Sequence, residues 1–325
     1  MTTPRPDRHI LKPHKRIRAL MALVVCLVLG LSGIGQAEQV ADQKGRILTF
    51  STPFKRIISL YGAHTENLFY LGAETQLVGV SINDTYPEQV RTKQDFSYHD
   101  DPEKFLSVQP DLILIRPMIE NGYPKLIHQL RSYGITVISL QPSSVEQMYD
   151  YWLALGKLTG KNKAAQALVL KFKENISNIQ ERTQKISPKK RVYFQSIHTR
   201  MKTFTPEAMP IFALETAGGI NVATDARASR NTNVAIYGKE QILAKANQID
   251  VFLAQKGIMN PVEKKNIMNE PGFHIIKAIK KNQVFLIDES IVSRPVPRLY
   301  QGILAIGNLL YPEIFTGMTK QKGVL

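Results

Sequence analysis

One pattern, written twice, constrains this chain more than any other feature. Glu103-Lys104-Phe105-Leu106 leads into Pro110-Asp111-Leu112-Ile113-Leu114-Ile115, and Glu240-Gln241-Ile242-Leu243 leads into Ile249-Asp250-Val251-Phe252-Leu253-Ala254. Each copy is a helical segment followed by an aspartate that opens an unbroken apolar run, and the second copy is the longer one. A short run with no polar alternation is the mark of a strand buried on both faces, which calls for a parallel sheet covered by helices. Between the copies, Lys161 to Lys185 contains no glycine or proline and carries Ala165, Leu168, Phe172, Ile176 and Ile179 at helical spacing. Such a helix is roughly 36 Å long. Two copies at matching places on either side of one stiff helix predict a duplicated α/β chain.

The rest of the periodicity agrees. Arg56 to Tyr61 is a β-rich run, and His64 to Leu71 has helical spacing that Gly72 ends. Leu77–Val80, Leu112–Ile115 and Ile135–Leu140 are further strands, with an amphipathic stretch over Leu126–Tyr133. Ser144 followed by Gln147 is a capping signature, and the helix it opens continues through Trp152, a core residue, to Leu158 before Thr159-Gly160 breaks it. After Ser187-Pro188 the alternation resumes with Arg191–Ile197, Val251–Ala254 and Val284–Ile287. The expected fold is α/β, with parallel, helix-covered sheets in two lobes on either side of a long α-helix. Residues 45–143 form the N-terminal lobe, 144–186 the helical linker and 187–325 the C-terminal lobe.

Ahead of this, Arg5, Arg8, Lys12, Lys15, Arg16 and Arg18 precede an uncharged run from Ala19 to Ile34, and Gly35-Gln36-Ala37 supplies small residues before a cut. A basic head, an apolar core and a small-residue site make a cleaved signal peptide over residues 1–37. The run falls short of the roughly 20 apolar residues needed to span a bilayer. Cys26 is the only cysteine and sits between Val25 and Leu27 in mid-run, whereas a lipoprotein signal wants a small residue before a cysteine at its end. Periplasmic export follows, with lipid anchoring the lesser reading. Once the leader is removed there is no cysteine, so disulfides, thiolate metal sites and cysteine nucleophiles are excluded.

The chain carries +15 and, stripped of the leader's six bases and one acid, stays basic. An exported basic protein meets anionic ligands or lipid surfaces, not nucleic acid. There is no Gly-x-Ser-x-Gly elbow, no His-Glu-x-x-His and no glycine-rich phosphate loop, so nothing supplies an activated nucleophile and no enzyme or catalytic cofactor is expected.

At this point the residues resemble the periplasmic binding proteins that feed iron complexes, haem and vitamin B12 to ABC importers. Arg56-Ile57-Ile58-Ser59-Leu60 with Thr65-Glu66, Leu68-Phe69 and Leu71-Gly72-Ala73 is similar to the family's opening strand and helix, and Gly79-Val80-Ser81 to their continuation. Pro110 to Leu114, Leu155 to Gly160, Ala217-Gly218-Gly219, Asn221-Val222 and Ser293 to Arg298 match further on. The resemblance implies two Rossmann-like lobes on parallel sheets joined by a single long α-helix, and a solute catcher that holds an iron-siderophore, haem or cobalamin-type chelate between its lobes and delivers it unchanged to an inner-membrane permease; a monomer is expected. The alternatives are an oxyanion or metal-ion binder or sensor of the same fold, or a secreted α/β hydrolase. It also implies one docking glutamate at the outer end of each lobe. Glu66 stands at the matching place in the first lobe, and Glu207 or Glu215 serves in the second, where Phe212 occupies the aligned position.

Ligands in parallel α/β lobes gather at the carboxyl ends of strands. That singles out Tyr61, His64, Tyr98, His99 and Arg116 in the first lobe, with Tyr123 nearby. In the second lobe it singles out His198, Arg200, Lys202, Arg230, Gln255 and Arg294. Guanidinium forks suit carboxylates and phosphate-like oxygens. The scattered histidines form no helix-spaced metal motif, so no direct metal site is expected.

Overall fold

The computed structural model describes residues 37–228 and 232–318; residues 1–36, with the expected signal core and Cys26, lie outside that range. Among the described residues no helix is long and apolar enough to cross a membrane. The short strands β1 (Glu38–Ala41) and β2 (Ile47–Phe50) come first. Residues 37–38 and Thr49–Thr52 belong to a separate compact unit, and the chain from Pro53 onward belongs to the unit described below.

The first sheet contains β3 (Ile57–Ser59), β4 (Leu77–Ser81), β5 (Gln94–Phe96), β6 (Leu112–Ile115) and β7 (Thr136–Ser139) in the order β5-β4-β3-β6-β7, all parallel. All residues of β3 and β6 are buried, Ser59 included, as befits the centre of a parallel sheet covered on both faces. Leu126, Ile127 and Leu130 of the helix Pro124–Ser132 close its core together with Phe96 and Phe105, whose rings stand 5.1 Å apart.

The second sheet runs β11-β9-β8-β12-β13, from strands β8 (Arg191–Ile197), β9 (Lys202–Phe204), β10 (Ile220–Asn221), β11 (Val234–Ile236), β12 (Val251–Lys256) and β13 (Val284–Asp288). β12 is parallel to β8 and β13, as expected. The expectation of a wholly parallel sheet needs correction, because β9 turns back from β8 and pairs it antiparallel, and β11 continues antiparallel beyond it. The turn is tight, with Met201 at φ +42°, and a short turn can join only antiparallel strands. β10 pairs with the start of β8 in parallel, where β4 would lie in the first sheet.

The duplicated pattern folds into the same device twice. Asp111 opens β6 and accepts the backbone N–H groups of Lys55 and Arg56 at 2.7 and 2.9 Å, while its own N–H donates to the Arg56 carbonyl at 2.9 Å. Asp250 opens β12, accepts the N–H of Arg191 at 2.9 Å and donates to the Arg191 carbonyl at 2.8 Å. In each half the aspartate staples the start of its strand to the central neighbour, β3 or β8.

Between the sheets, Ser144 caps the helix Val145–Thr159 by accepting from the Gln147 N–H at 3.3 Å, while Gln147 Oε1 accepts from the Ser143 N–H at 2.9 Å. Gly160, at φ +69°, ends it in the left-handed conformation. The long helix Asn162–Thr183 follows, about 33 Å by its rise per residue. It buries Ala165, Val169, Phe172, Ile176, Ile179 and Thr183, alternating steps of four and three; Val169, not Leu168, occupies the buried stripe. Its last turn is tied to the second half by Thr183 Oγ1, which donates to the Thr216 carbonyl at 3.2 Å.

Candidate functional site

The carboxyl ends of the first sheet carry an aromatic and cationic surface. Tyr61 directly precedes the helix Gly62–Tyr70, and the Arg116 guanidinium lies 5.0 Å from its ring centroid, the geometry of a cation–π contact. Burial raises the Tyr61 hydroxyl pKa, while the charges of Arg116 and Arg294 work against that rise. Tyr98 and His99 lie in the loop after β5 and pack with Tyr123: ring centroids are 4.7 Å apart for Tyr98–His99 and for Tyr98–Tyr123, and Tyr123 Oη is 3.2 Å from His99 Nε2. Past these strand ends, Ile82 and Met118 of the helix Pro117–Gly122 are exposed, as are Ile258 and Met259 after β12, an apolar rim of the kind that receives a large ligand or a partner.

Arg294 is the second half's contribution to the same place. A Cβ on Gly62 would stand 2.9 Å from Arg294 Nη1 and 3.0 Å from Asp84 Oδ1. The missing side chain of Gly62 leaves room for this guanidinium against the first half, next to Tyr61. Asp84, which accepts from Thr65 Oγ1 at 2.5 Å, is raised to about 6 by burial.

Three expected contacts need correction. His64 is fully buried, with Tyr151 Oη 2.5 Å from Nδ1 and the Ile115 carbonyl 3.0 Å from Nε2. Burial lowers its pKa to about 4, so the ring is neutral. Nε2–H donates to the carbonyl, Nδ1 accepts from the tyrosine, and no nitrogen remains for a ligand. Gln255 is buried at the end of β12, its Nε2 donating to the Ser196 carbonyl at 3.1 Å and its Oε1 accepting from Ser293 Oγ at 2.5 Å; it joins loops and faces no solvent. Glu66 has no exposed surface. Its two oxygens take a fork from Arg298, Nε at 2.6 Å and Nη2 at 2.7 Å, so it is unavailable for docking. Burial nevertheless keeps its carboxyl pKa above the ordinary range.

His198 is buried at the end of β8, with Nδ1 3.0 Å from Gln195 Oε1 and Nε2 3.4 Å from Glu270, which also pairs with Lys239. Burial lowers its pKa, against the pull of Glu270. With Asn260, Lys265, Asn266 and Glu270 it lines a cavity of 510 Å³ built wholly from the second half. Arg200 is exposed in the turn after β8, Lys202 is half-buried in β9, and Glu207 and Glu215 are exposed, the first just before the helix Met209–Thr216 and the second within it. Arg230 lies outside the described residues. Asp84, Arg298 and Glu270 are not among the residues singled out from sequence; the one signal for them is that Arg298 ends the Ser293–Arg298 segment that matches the family. Among the described residues no group of three or more histidine, cysteine or acidic side chains is placed to hold a metal ion.

A two-lobed α/β chain with its polar and aromatic loops at converging strand ends defines a solute-binding protein, and residues 57–291 match the periplasmic binding protein family, to which the chain belongs. Members of this family are substrate-binding components of ABC transport systems, not enzymes. The chain is 28% identical over 286 residues to the uncharacterised ABC transporter substrate-binding lipoprotein YvrC of Bacillus subtilis, covering 85% of this chain and 86% of the relative. It is 26% identical to the vitamin B12-binding protein of Vibrio cholerae, covering 77% and 87%. The crystal structure of a possible iron-binding, periplasmic solute-binding protein of Staphylococcus epidermidis superposes with a TM-score of 0.69 at 27% identity, covering 80% of this chain and all of that one.

Proposed function

We propose that the protein is exported, cleaved after Ala37, and captures one iron-siderophore, haem or cobalamin-type molecule between its lobes for delivery to an ABC permease. The observation that carries this reading is the convergence of Tyr61 and Arg116 from the first half with Arg294 from the second at Gly62. Two guanidiniums and a tyrosine face suit a ligand with anionic oxygens on a broad framework, and the apolar rim suits the framework itself. Tyr98, His99 and Tyr123 extend the stacking surface. Arg116→Ala weakens an anionic ligand by about 1.5–3 kcal/mol, the worth of a charged hydrogen bond; equilibrium titration with haemin checks this, and an unchanged affinity removes Arg116 from the site.

With Glu66 buried, the duplication offers a better docking pair. Glu103 and Glu240 are exposed, stand in the first turns of the helices Pro102–Leu106 and Lys239–Ala244, and lead into the two stapled strands. They are equivalent residues of the two lobes. Glu103→Ala with Glu240→Ala leaves ligand affinity unchanged and lowers uptake in cells; loss of binding in that variant contradicts the assignment.

A further inference from the structure

The segment from Ser293 to Arg298 belongs to the second half by sequence, yet the first half grips it. Arg298 is forked to Glu66 and its guanidinium lies 3.7 Å from the Tyr86 ring centroid. The Pro295 carbonyl accepts both Asn67 Nδ2 at 3.0 Å and Trp152 Nε1 at 3.1 Å. Three separate elements thus converge on six residues: the helix Gly62–Tyr70, the helix Val145–Thr159 and the loop after β4. Such an ion pair is a poor way to gain stability, since apolar residues of similar volume often do as well. What it fixes is register. Arg294 lies four residues before Arg298, and it is the guanidinium that reaches Gly62 beside Tyr61.

We propose that Glu66 and Arg298 are positioning residues that hold this segment as a second strut between the lobes, so that Arg294 is presented to the ligand beside Tyr61 and Arg116. The assignment rests on the cleft being the ligand site. Glu66 is thereby given a role different from the docking role its sequence position implies.

Trp152 is the only tryptophan and donates to the strut, so its emission reports the strut without any ligand. The experiment compares wild type, Glu66→Gln, Arg298→Lys, Arg294→Ala, Gly62→Ala and the Glu66→Gln/Arg294→Ala double variant, reading Trp152 emission and haemin affinity. Glu66→Gln shifts the emission to the red and weakens haemin about 10- to 100-fold, the effect of losing one charged hydrogen bond. Arg294→Ala weakens haemin equally with the emission unchanged, and the double variant is no weaker than Arg294→Ala. Arg298→Lys, which keeps the charge but not the fork, falls between wild type and Glu66→Gln. Unchanged emission in Glu66→Gln overturns the strut, and an equal loss of affinity in the Arg294→Ala background overturns its link to Arg294. If Glu66→Gln does not fold, Gly62→Ala decides: its new methyl group displaces the Arg294 guanidinium with the ion pair intact, so haemin affinity falls while emission stays, and wild-type affinity overturns the proposal. Failure of wild type to bind haemin counts against the haem reading of the site, while the emission of Glu66→Gln still upholds or overturns the strut.

Discussion

A buried and a half-buried titratable residue of the first half, His64 and Asp84, make opposite contributions to stability in acid. His64 ionises in the unfolded chain near 6.5 and in the folded chain near 4 because burial disfavours its charge. Between those values the unfolded state takes up a proton that the folded state refuses, so this contribution is lost as pH falls from 6.5 to 4. Asp84 is the reverse: its folded value near 6 lies above the ordinary 3.8, so the folded state takes up the proton first and gains stability as pH falls through 6 toward 4. Urea unfolding at pH 7 and pH 5 separates them. The stability of wild type relative to His64→Asn shrinks on going to pH 5, and that relative to Asp84→Asn grows; differences that do not move with pH contradict both assignments. These residues also mark the limit of sequence reading. Thr65-Glu66-Asn67 looks like the solvated face of a helix, yet all three are buried: Thr65 bonds to Ser59 and Asp84, and the partners of Glu66 and Asn67, Arg298 and Pro295, come from more than two hundred residues away.

At the scale of elements, much was legible because a parallel strand buried on both faces has no alternative but an unbroken apolar run. β6 and the start of β12 were visible in that way, β3, β8 and β13 as short β-rich runs, and the long helix from its spacing. The strands β9 and β11 were not: each has three residues, and their pairing depends on a turn at Met201 that carries no glycine signal. The strand-opening aspartates, by contrast, could be read from sequence as a repeat before their bonding was seen. Asp111→Ala removes two bonds to backbone N–H groups and costs about 1–3 kcal/mol. Asp250→Ala costs a similar amount, since it loses one such bond and the 2.6 Å pair with Lys277. Chemical denaturation of both variants checks the equivalence, and a cost confined to one of them would show that the two staples are not alike.

For the whole molecule, the path from sequence to function runs through the duplication. Two stapled α/β halves, joined by one stiff helix and by the Ser293–Arg298 segment, bring the carboxyl ends of two sheets together, and the loops at those ends carry the cationic and aromatic side chains. Arg116 was identifiable as a strand-end arginine and Arg294 as one on a nearby loop; that both lie by Tyr61, with Gly62 leaving room for Arg294, is something no local pattern announces. The central claim is that this surface binds one intact chelate and leaves it unaltered. Titration of the purified protein with haemin, aquocobalamin and a ferric siderophore, following visible absorbance and Trp152 emission, tests it most directly. Saturable one-to-one binding of one of the three, recovered chemically unchanged and weakened by Arg116→Ala, is the predicted result; no binding of any of them, or conversion of a bound one, would contradict it.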